Sequence, residues 1–149
     1  MEERTLNRTL ISLGSNLGNK TQHLNQAIQE IEKSVGGIEF VSSFHESRAW
    51  GYDSENLFLN ACITCYTILS PFELLEKLKE IEQEMGRIKT IDGYEDRCID
   101  LDIIFYNADS IQTERLSIPH PHFKSRDFVM IPLKEIVKKM DPFWQLLNS

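Results

Sequence analysis

The run Arg97-Cys98-Ile99-Asp100-Leu101-Asp102-Ile103-Ile104-Phe105-Tyr106 constrains this chain more than any other stretch. Its last eight residues are rich in β-branched and aromatic types and hold no Gly or Pro, which predicts a β-strand. Side chains alternate along a strand, so Ile99, Leu101, Ile103 and Phe105 are expected on one face, in the core. Asp100 and Asp102 then fall on the other face, roughly 6.6 Å apart along the strand. Two carboxylates that close repel each other, and burial makes this worse. Either they are two solvated surface acids, or a divalent cation, or a pair about 3.5–4 Å apart, relieves the repulsion and clamps a phosphate. Mg²⁺ suits the second reading, since it typically takes one or two carboxylates plus phosphate oxygens and water. Arg97 just upstream and a His/Arg-rich segment downstream favour the metal reading.

The rest of the chain predicts the frame. Thr9-Leu10-Ile11-Ser12-Leu13 is a short strand, and Gly14-Ser15-Asn16-Leu17-Gly18-Asn19 offers a turn into a helix. No Gly-x-x-x-x-Gly-Lys-Ser/Thr or Gly-x-Gly-x-x-Gly pattern marks that turn as a phosphate loop. Leu24, Ala27, Ile28, Ile31 and Val35 give the helix one apolar face, and Gly36-Gly37 ends it. Residues 38–44 form a second strand with Ile38, Phe40, Ser42 and Phe44 on one face. Residues 47–56 are a loop carrying Trp50 and Tyr52, and residues 57–68 a third strand. On that strand Phe58 and Asn60 share a face, which suits a heterocycle and equally an ordinary half-buried strand. Cys62 and Cys65 have redox-motif spacing, but three residues apart on a strand they point oppositely, so both read as core residues.

Ser70-Pro71-Phe72-Glu73 is a helix start with an N-cap, a proline at the first position and a capping-box glutamate. Leu74, Leu75, Leu78, Ile81 and Met85 form its buried stripe, and Gly86 its stop. Glu82, beside the stripe, is either a solvated charge or an acceptor for a ribose hydroxyl. A polar loop over residues 87–96 feeds the Asp-bearing strand. Residues 117–128 follow, stiffened by Pro119 and Pro121 and carrying His120, Lys124 and Arg126, and residues 132–140 form a last short helix. Two helices among four strands in this order fit an α+β, ferredoxin-like βαββαβ sandwich with extra C-terminal elements, one domain over residues 1–149.

Composition narrows the function. The net charge of −7 over 149 residues argues against a nucleic-acid surface, so a polyphosphate must be met by local cations and metal. No apolar run reaches the ~20 residues of a membrane span, and Met1-Glu2-Glu3-Arg4 lacks the pattern of a secretory signal. Three cysteines without framework spacing suit a reducing cytoplasm.

Read together, the motifs resemble the 6-hydroxymethyl-7,8-dihydropterin pyrophosphokinase family. Arg97-Cys98-Ile99-Asp100-Leu101-Asp102-Ile103-Ile104 is similar to its signature, and Gly14-Ser15-Asn16-Leu17-Gly18 to its opening turn. Phe58-Leu59-Asn60-Ala61 resembles its pterin strand, Arg115-Leu116-Ser117-Ile118-Pro119-His120-Pro121 its nucleotide segment, and Arg126-Asp127-Phe128-Val129 its closing one. The resemblance implies transfer of the terminal diphosphate of ATP to the pterin hydroxymethyl group, with AMP released, in folate biosynthesis. It implies a cytoplasmic monomer working on small molecules.

By the same resemblance, Asp100 and Asp102 hold two Mg²⁺ ions. Phe58 and Phe128 sandwich the pterin, while Asn60, Ser47, Arg48 and Trp50 surround its hydrogen-bonding edge. Arg87, Lys89, Arg97, His120 and Arg126 surround the phosphates, with Arg87, Arg97 and Arg126 as the catalytic cations. Glu82, Ile103, Arg115 and Ser117 frame the adenosine, Ile103 and Arg115 partly through backbone or stem. Glu95-Asp96 stand where Gly-Pro is usual, Tyr94 where tryptophan is, and Lys89 where arginine is common. A nucleotide-sugar glycosyltransferase could use the same aspartate pair but needs a larger donor pocket. A ligand-sensing module of the same fold would leave the aspartates and downstream cations without a task.

Overall fold

The computed structural model describes residues 4–47, 57–89 and 95–147, with Arg87–Lys89 and Glu95–Arg97 described as backbone only. The chain runs β1 (Asn7–Ser15), α1 (Lys20–Ser34), β2 (Ile38–Val41), β3 (His45–Ser47), β4 (Phe58–Thr67), α2 (Pro71–Glu84), β5 (Arg87–Lys89) and β6 (Glu95–Arg97). It continues through β7 (Asp100–Tyr106), β8 (Ile111–Gln112), β9 (Ser117–Ile118), α3 (Asp127–Ile136) and α4 (Pro142–Leu147). The main sheet has the order β2-β4-β1-β7, every neighbour antiparallel, and β3 prolongs the β2 edge along β4. Each helical crossover skips one strand: β1 passes through α1 to β2, and β4 through α2 to β7. β5–β6 and β8–β9 are separate two-stranded ribbons.

Both crossover helices cover one face. Leu24, Ala27 and Ile31 of α1 and Leu74, Leu78 and Ile81 of α2 pack on Ile11, Leu13, Ile63, Ile99, Leu101 and Ile103. Ser70 and Glu73 close the expected capping box on α2: the Ser70 Oγ accepts from the Glu73 N–H at 3.3 Å, and the Glu73 Oε1 accepts from the Ser70 N–H at 2.8 Å. Gly86, at φ 88°, is the left-handed stop the sequence suggests. The opposite face is half covered by the C-terminal segments, with Leu10, Cys62 and Phe105 beneath Phe123, Val129, Leu133, Ile136 and Phe143. Cys62 and Cys65 are buried on opposite faces as free thiols, and burial pushes Cys65 up to about 12.

Several expectations need correcting. Phe105 does not share a face with Ile103. Leu10 pairs with Phe105 but Ile11 with Ile103, so Ile104 is an extra residue in β7 that turns Phe105 to the other side. There it meets the Phe123 and Phe143 rings at 5.1 Å between centroids. A similar irregularity at Glu39 leaves Phe40 47% exposed, and the strand expected over residues 38–44 stops at Val41, with β3 starting only at His45. The helix expected over residues 132–140 is α3, five residues earlier, with Pro132 inside it. Burial of Val129, Leu133 and Ile136, spaced by four and three, overrides the preference of proline for a helix start. Gly36-Gly37 follow the end of α1 as expected, and a side chain at Gly36 would lie 1.8 Å from the Tyr66 carbonyl oxygen.

Candidate active site

On the sheet face away from α1 and α2, register decides what stands beyond the part covered by α3 and α4. Directly opposed residues on antiparallel neighbours share a face. One row across β3, β4, β1 and β7 is His45, Asn60, Gly14, Asp100; the next across β4, β1 and β7 is Cys62, Ser12, Asp102. The sheet therefore sets the Asn60 amide and the Asp100 carboxylate on one surface. They are two strand spacings apart, roughly 10 Å, with glycine between them.

Gly14 is expected in the turn that follows the first strand. It lies inside β1, and a Cβ there would sit 3.2 Å from the Asn60 Oδ1 and 3.4 Å from the Phe58 ring. The signal was available, since glycine inside a strand often marks a close approach. Phe58 is half-buried beside that floor. Asn60 is 3% exposed, and its Nδ2 donates to the Ser47 Oγ at 2.6 Å and to the His45 carbonyl at 3.3 Å. With its amide held this way, its Oδ1 is turned to the Gly14 side. Phe128, in the first turn of α3, is half-buried on the same side of the sheet, with the Arg126 guanidinium 5.7 Å from its ring centroid. α3 is docked on β4 through its apolar face and by the Cys62 Sγ, 3.6 Å from the Val129 carbonyl.

Asp100 and Asp102 are both half-exposed on this face. Glu82 is not a solvated charge. It is 4% exposed, and its Oε2 accepts the Leu101 N–H at 2.8 Å, tying α2 to edge strand β7 between the two aspartates. Ile103 points the other way, into the core under α1 and α2, so a ligand on this face can meet only its backbone.

His120 hangs over β7, its N–H donating to the Ile104 carbonyl at 3.2 Å. Burial and then the charges of Arg126 and His122 hold its pKa below the usual imidazole value, with Asp100 acting weakly in the opposite sense. The His120 Nδ1 accepts the His122 N–H at 3.3 Å, so the neutral ring carries its proton on Nε2. His120, Arg126 and Asp100 thus lie within electrostatic reach of one another. Beside them an open groove of about 640 Å³ is lined by Ser110, Gln112, Thr113, Ser117, Pro119 and Pro121. Arg115 is turned away to an ion pair with Glu76 on α2.

Several expected residues fall outside this description. Arg48 and Trp50, with Tyr94, lie outside the described residues, as do the side chains of Arg87, Lys89, Arg97, Glu95 and Asp96. Among the described residues, no three His, Cys, Asp or Glu converge to hold a metal ion. No helix there is long and apolar enough to cross a membrane.

The comparisons with known proteins agree with one another. Residues 10–138 match the family profile described as 7,8-dihydro-6-hydroxymethylpterin-pyrophosphokinase. The chain is 38% identical over 136 residues to the 2-amino-4-hydroxy-6-hydroxymethyldihydropteridine pyrophosphokinase of Bacillus subtilis, covering 91% of this chain and 81% of that one. It is 40% identical over 126 residues to the Aquifex aeolicus protein of the same name, covering 85% and 78%. Its fold is similar to that of a Plasmodium falciparum HPPK-DHPS triple mutant solved with STZ-DHP, with a TM-score of 0.74 at 17% identity. That match covers 91% of this chain and 40% of the longer one.

Proposed function

Since the chain belongs to the 7,8-dihydro-6-hydroxymethylpterin-pyrophosphokinase family, ATP-dependent transferases that move pyrophosphate from ATP to hydroxymethyl-dihydropterin in folate biosynthesis, we propose that the sheet face away from α1 and α2 carries that reaction, pterin at the Asn60 end and triphosphate at the aspartate end. The observation that carries this is the row Asn60–Gly14–Asp100. A two-ring heterocycle lying over Gly14 with its polar edge toward Asn60 extends its hydroxymethyl arm toward Asp100.

In this reading Phe58 and Phe128 flank the rings, and the Asn60 Oδ1 and Ser47 hydroxyl read their edge. Arg48 and Trp50 belong to the same pocket by family resemblance. Glu82 fixes the backbone between the aspartates through Leu101. His120 presents a neutral Nε2–H to a phosphate oxygen, and Arg126 adds a full charge beside it. Arg87, Lys89 and Arg97 complete the phosphate site, while the groove at Ser117, with the backbones of Arg115 and Ile103, takes the adenosine.

The aspartates fit Mg²⁺ by their chemistry: two half-exposed carboxylates two residues apart on one strand face. Such ions keep water and take phosphate oxygens. When bound, two ions would neutralise the phosphates and favour ionisation of the attacking hydroxyl. The protein's own share is alignment. Phosphoryl-type transfer asks for in-line placement and charge compensation rather than covalent help.

The interleaved crossovers and antiparallel order β7-β1-β4-β2, with α1 and α2 on one face, support reading the fold as ferredoxin-like with C-terminal additions. One domain, a monomer, and a cytoplasmic setting consistent with three free cysteines complete the proposal.

The test uses phosphorus NMR on protein mixed with MgATP and hydroxymethyl-dihydropterin. AMP should form in step with pterin diphosphate, and Asp100→Asn and Asp102→Asn should form neither while keeping the parent circular dichroism. An active variant of either kind would overturn the assignment of the aspartate end.

A further inference from the structure

The row that carries Asn60 and Asp100 begins with His45, whose side chain the reaction does not use. Its Nε2 shares a hydrogen bond with the Glu135 Oε1 on α3, and the Ser43 N–H donates to the Glu135 Oε2 at 2.9 Å. The Ser43 N–H first, and His45 second, hold the Glu135 carboxyl below the usual range. Glu135 and Phe128 are seven residues apart, two helical turns, so they stand on the same side of α3 about 10 Å apart along it. At the other end of the bond, the His45 carbonyl and Ser47 Oγ fix the Asn60 amide, and Ser47 is paired with Phe58.

We propose that His45 and Glu135 are positioning residues for the pterin slot: their bond sets the rotation of α3 so that Phe128 faces Phe58 and Asn60. Apolar packing cannot do this alone. Val129, Leu133 and Ile136 hold α3 against the sheet, but they form a stripe about which the helix can roll. The Glu135 bonds lie off that stripe and join α3 to the strand that bears the slot's polar edge. The pair is about one-third exposed at both side chains, so it contributes little to global stability. Its effect is therefore expected in binding geometry. This inference rests on the slot placed between Phe58 and Phe128.

Steady-state kinetics with each substrate varied, alongside thermal melting, tests it on Glu135→Ala, His45→Ala, Glu135→Gln, Phe128→Ala and the double variant Glu135→Ala/Phe128→Ala. Glu135→Ala and His45→Ala should raise KM for the pterin about five- to tenfold, with kcat, KM for ATP and Tm nearly unchanged. Glu135→Gln keeps one oxygen for the Ser43 N–H and turns an amide N–H to the His45 Nε2, which accepts it when the ring proton is on Nδ1, and should restore most of the loss. Adding Glu135→Ala to Phe128→Ala should change nothing further, because the lever then has no load. Additive losses, or a fall in Tm that tracks the fall in activity, would make the pair merely structural. Unchanged pterin KM in Glu135→Ala beside a raised one in Phe128→Ala would overturn the lever and leave the slot standing. No effect in Phe128→Ala would remove the slot and the lever together.

Discussion

At Gly14 the proposed pterin floor depends on a missing side chain. A strand residue facing a ligand surface would normally fill the space over the sheet; here the nearest atoms to an added Cβ are the Asn60 amide oxygen and the Phe58 ring. At 3.2 and 3.4 Å these neighbours must shift by a few tenths of an ångström, which the sheet can absorb but a stacked ring cannot. Gly14→Ala should therefore fold normally and bind pterin about tenfold more weakly, roughly 1.4 kcal/mol. Phe58→Ala should lose a comparable amount, on the order of 1–3 kcal/mol by analogy with base–aromatic stacking. Calorimetric titrations with pterin and with an ATP analogue check both: ATP affinity should hold in each variant. Equal loss of both ligands would mean that these residues support the fold instead.

The elements are held in place by a few close approaches that local sequence rules do not describe. The end of α1 passes so near β4 that an alanine methyl at Gly36 would overlap the Tyr66 carbonyl, whereas nothing lies within 4 Å of one at Gly37. Gly36→Ala should cost about 3 kcal/mol, lowering Tm by about 10 °C, and Gly37→Ala should leave it unchanged. On the opposite face, Arg8 grips Asp141 with two bonds of 2.6 and 2.7 Å and Glu39 with one of 2.8 Å. Its guanidinium lies 4.4 Å from the centre of the Phe143 ring. Burial works to raise the Asp141 pKa, but the Arg8 bonds and the Phe143 N–H outweigh it and leave the value depressed. A carboxylate depressed in the folded state binds protons more readily when unfolded. Its contribution is thus present above the unfolded value near 3.9 and lost as pH falls through the lower folded value. Asp141→Asn should remove that part of the acid dependence and cost about 2–3 kcal/mol at neutral pH, measured by urea melts at several pH values.

Across the whole molecule, what the sequence makes legible is what local chemistry decides. The capping box at Ser70 and Glu73, the left-handed stop at Gly86 and the apolar stripes of α1 and α2 are each set within a few residues. The Asp-x-Asp alternation on β7 survives because regular pleating holds from Asp100 to Ile103. Legibility fails where two strands negotiate register. The extra residue at Ile104 sends Phe105 to the other face, and the irregularity at Glu39 exposes Phe40. It also fails where a contact spans the chain, as from Glu135 to His45 or Glu82 to Leu101. Motif resemblance reached the family, whereas the His45–Glu135 link required the fold.

The central claim is that one face of the sheet holds the pterin and, beside it, the metal-bound triphosphate. Paramagnetic relaxation by Mn²⁺ in place of Mg²⁺, measured on backbone amides with pterin and a non-hydrolysable ATP analogue, tests it most directly. The amides of Ser12, Gly14, Asn60, Asp100, Asp102 and His120 should broaden most, and those of α1 should stay sharp. Asp102→Asn should abolish the pattern at the same ion concentration. Broadening centred on α1 or on β2, or a pattern that survives Asp102→Asn, would contradict the account.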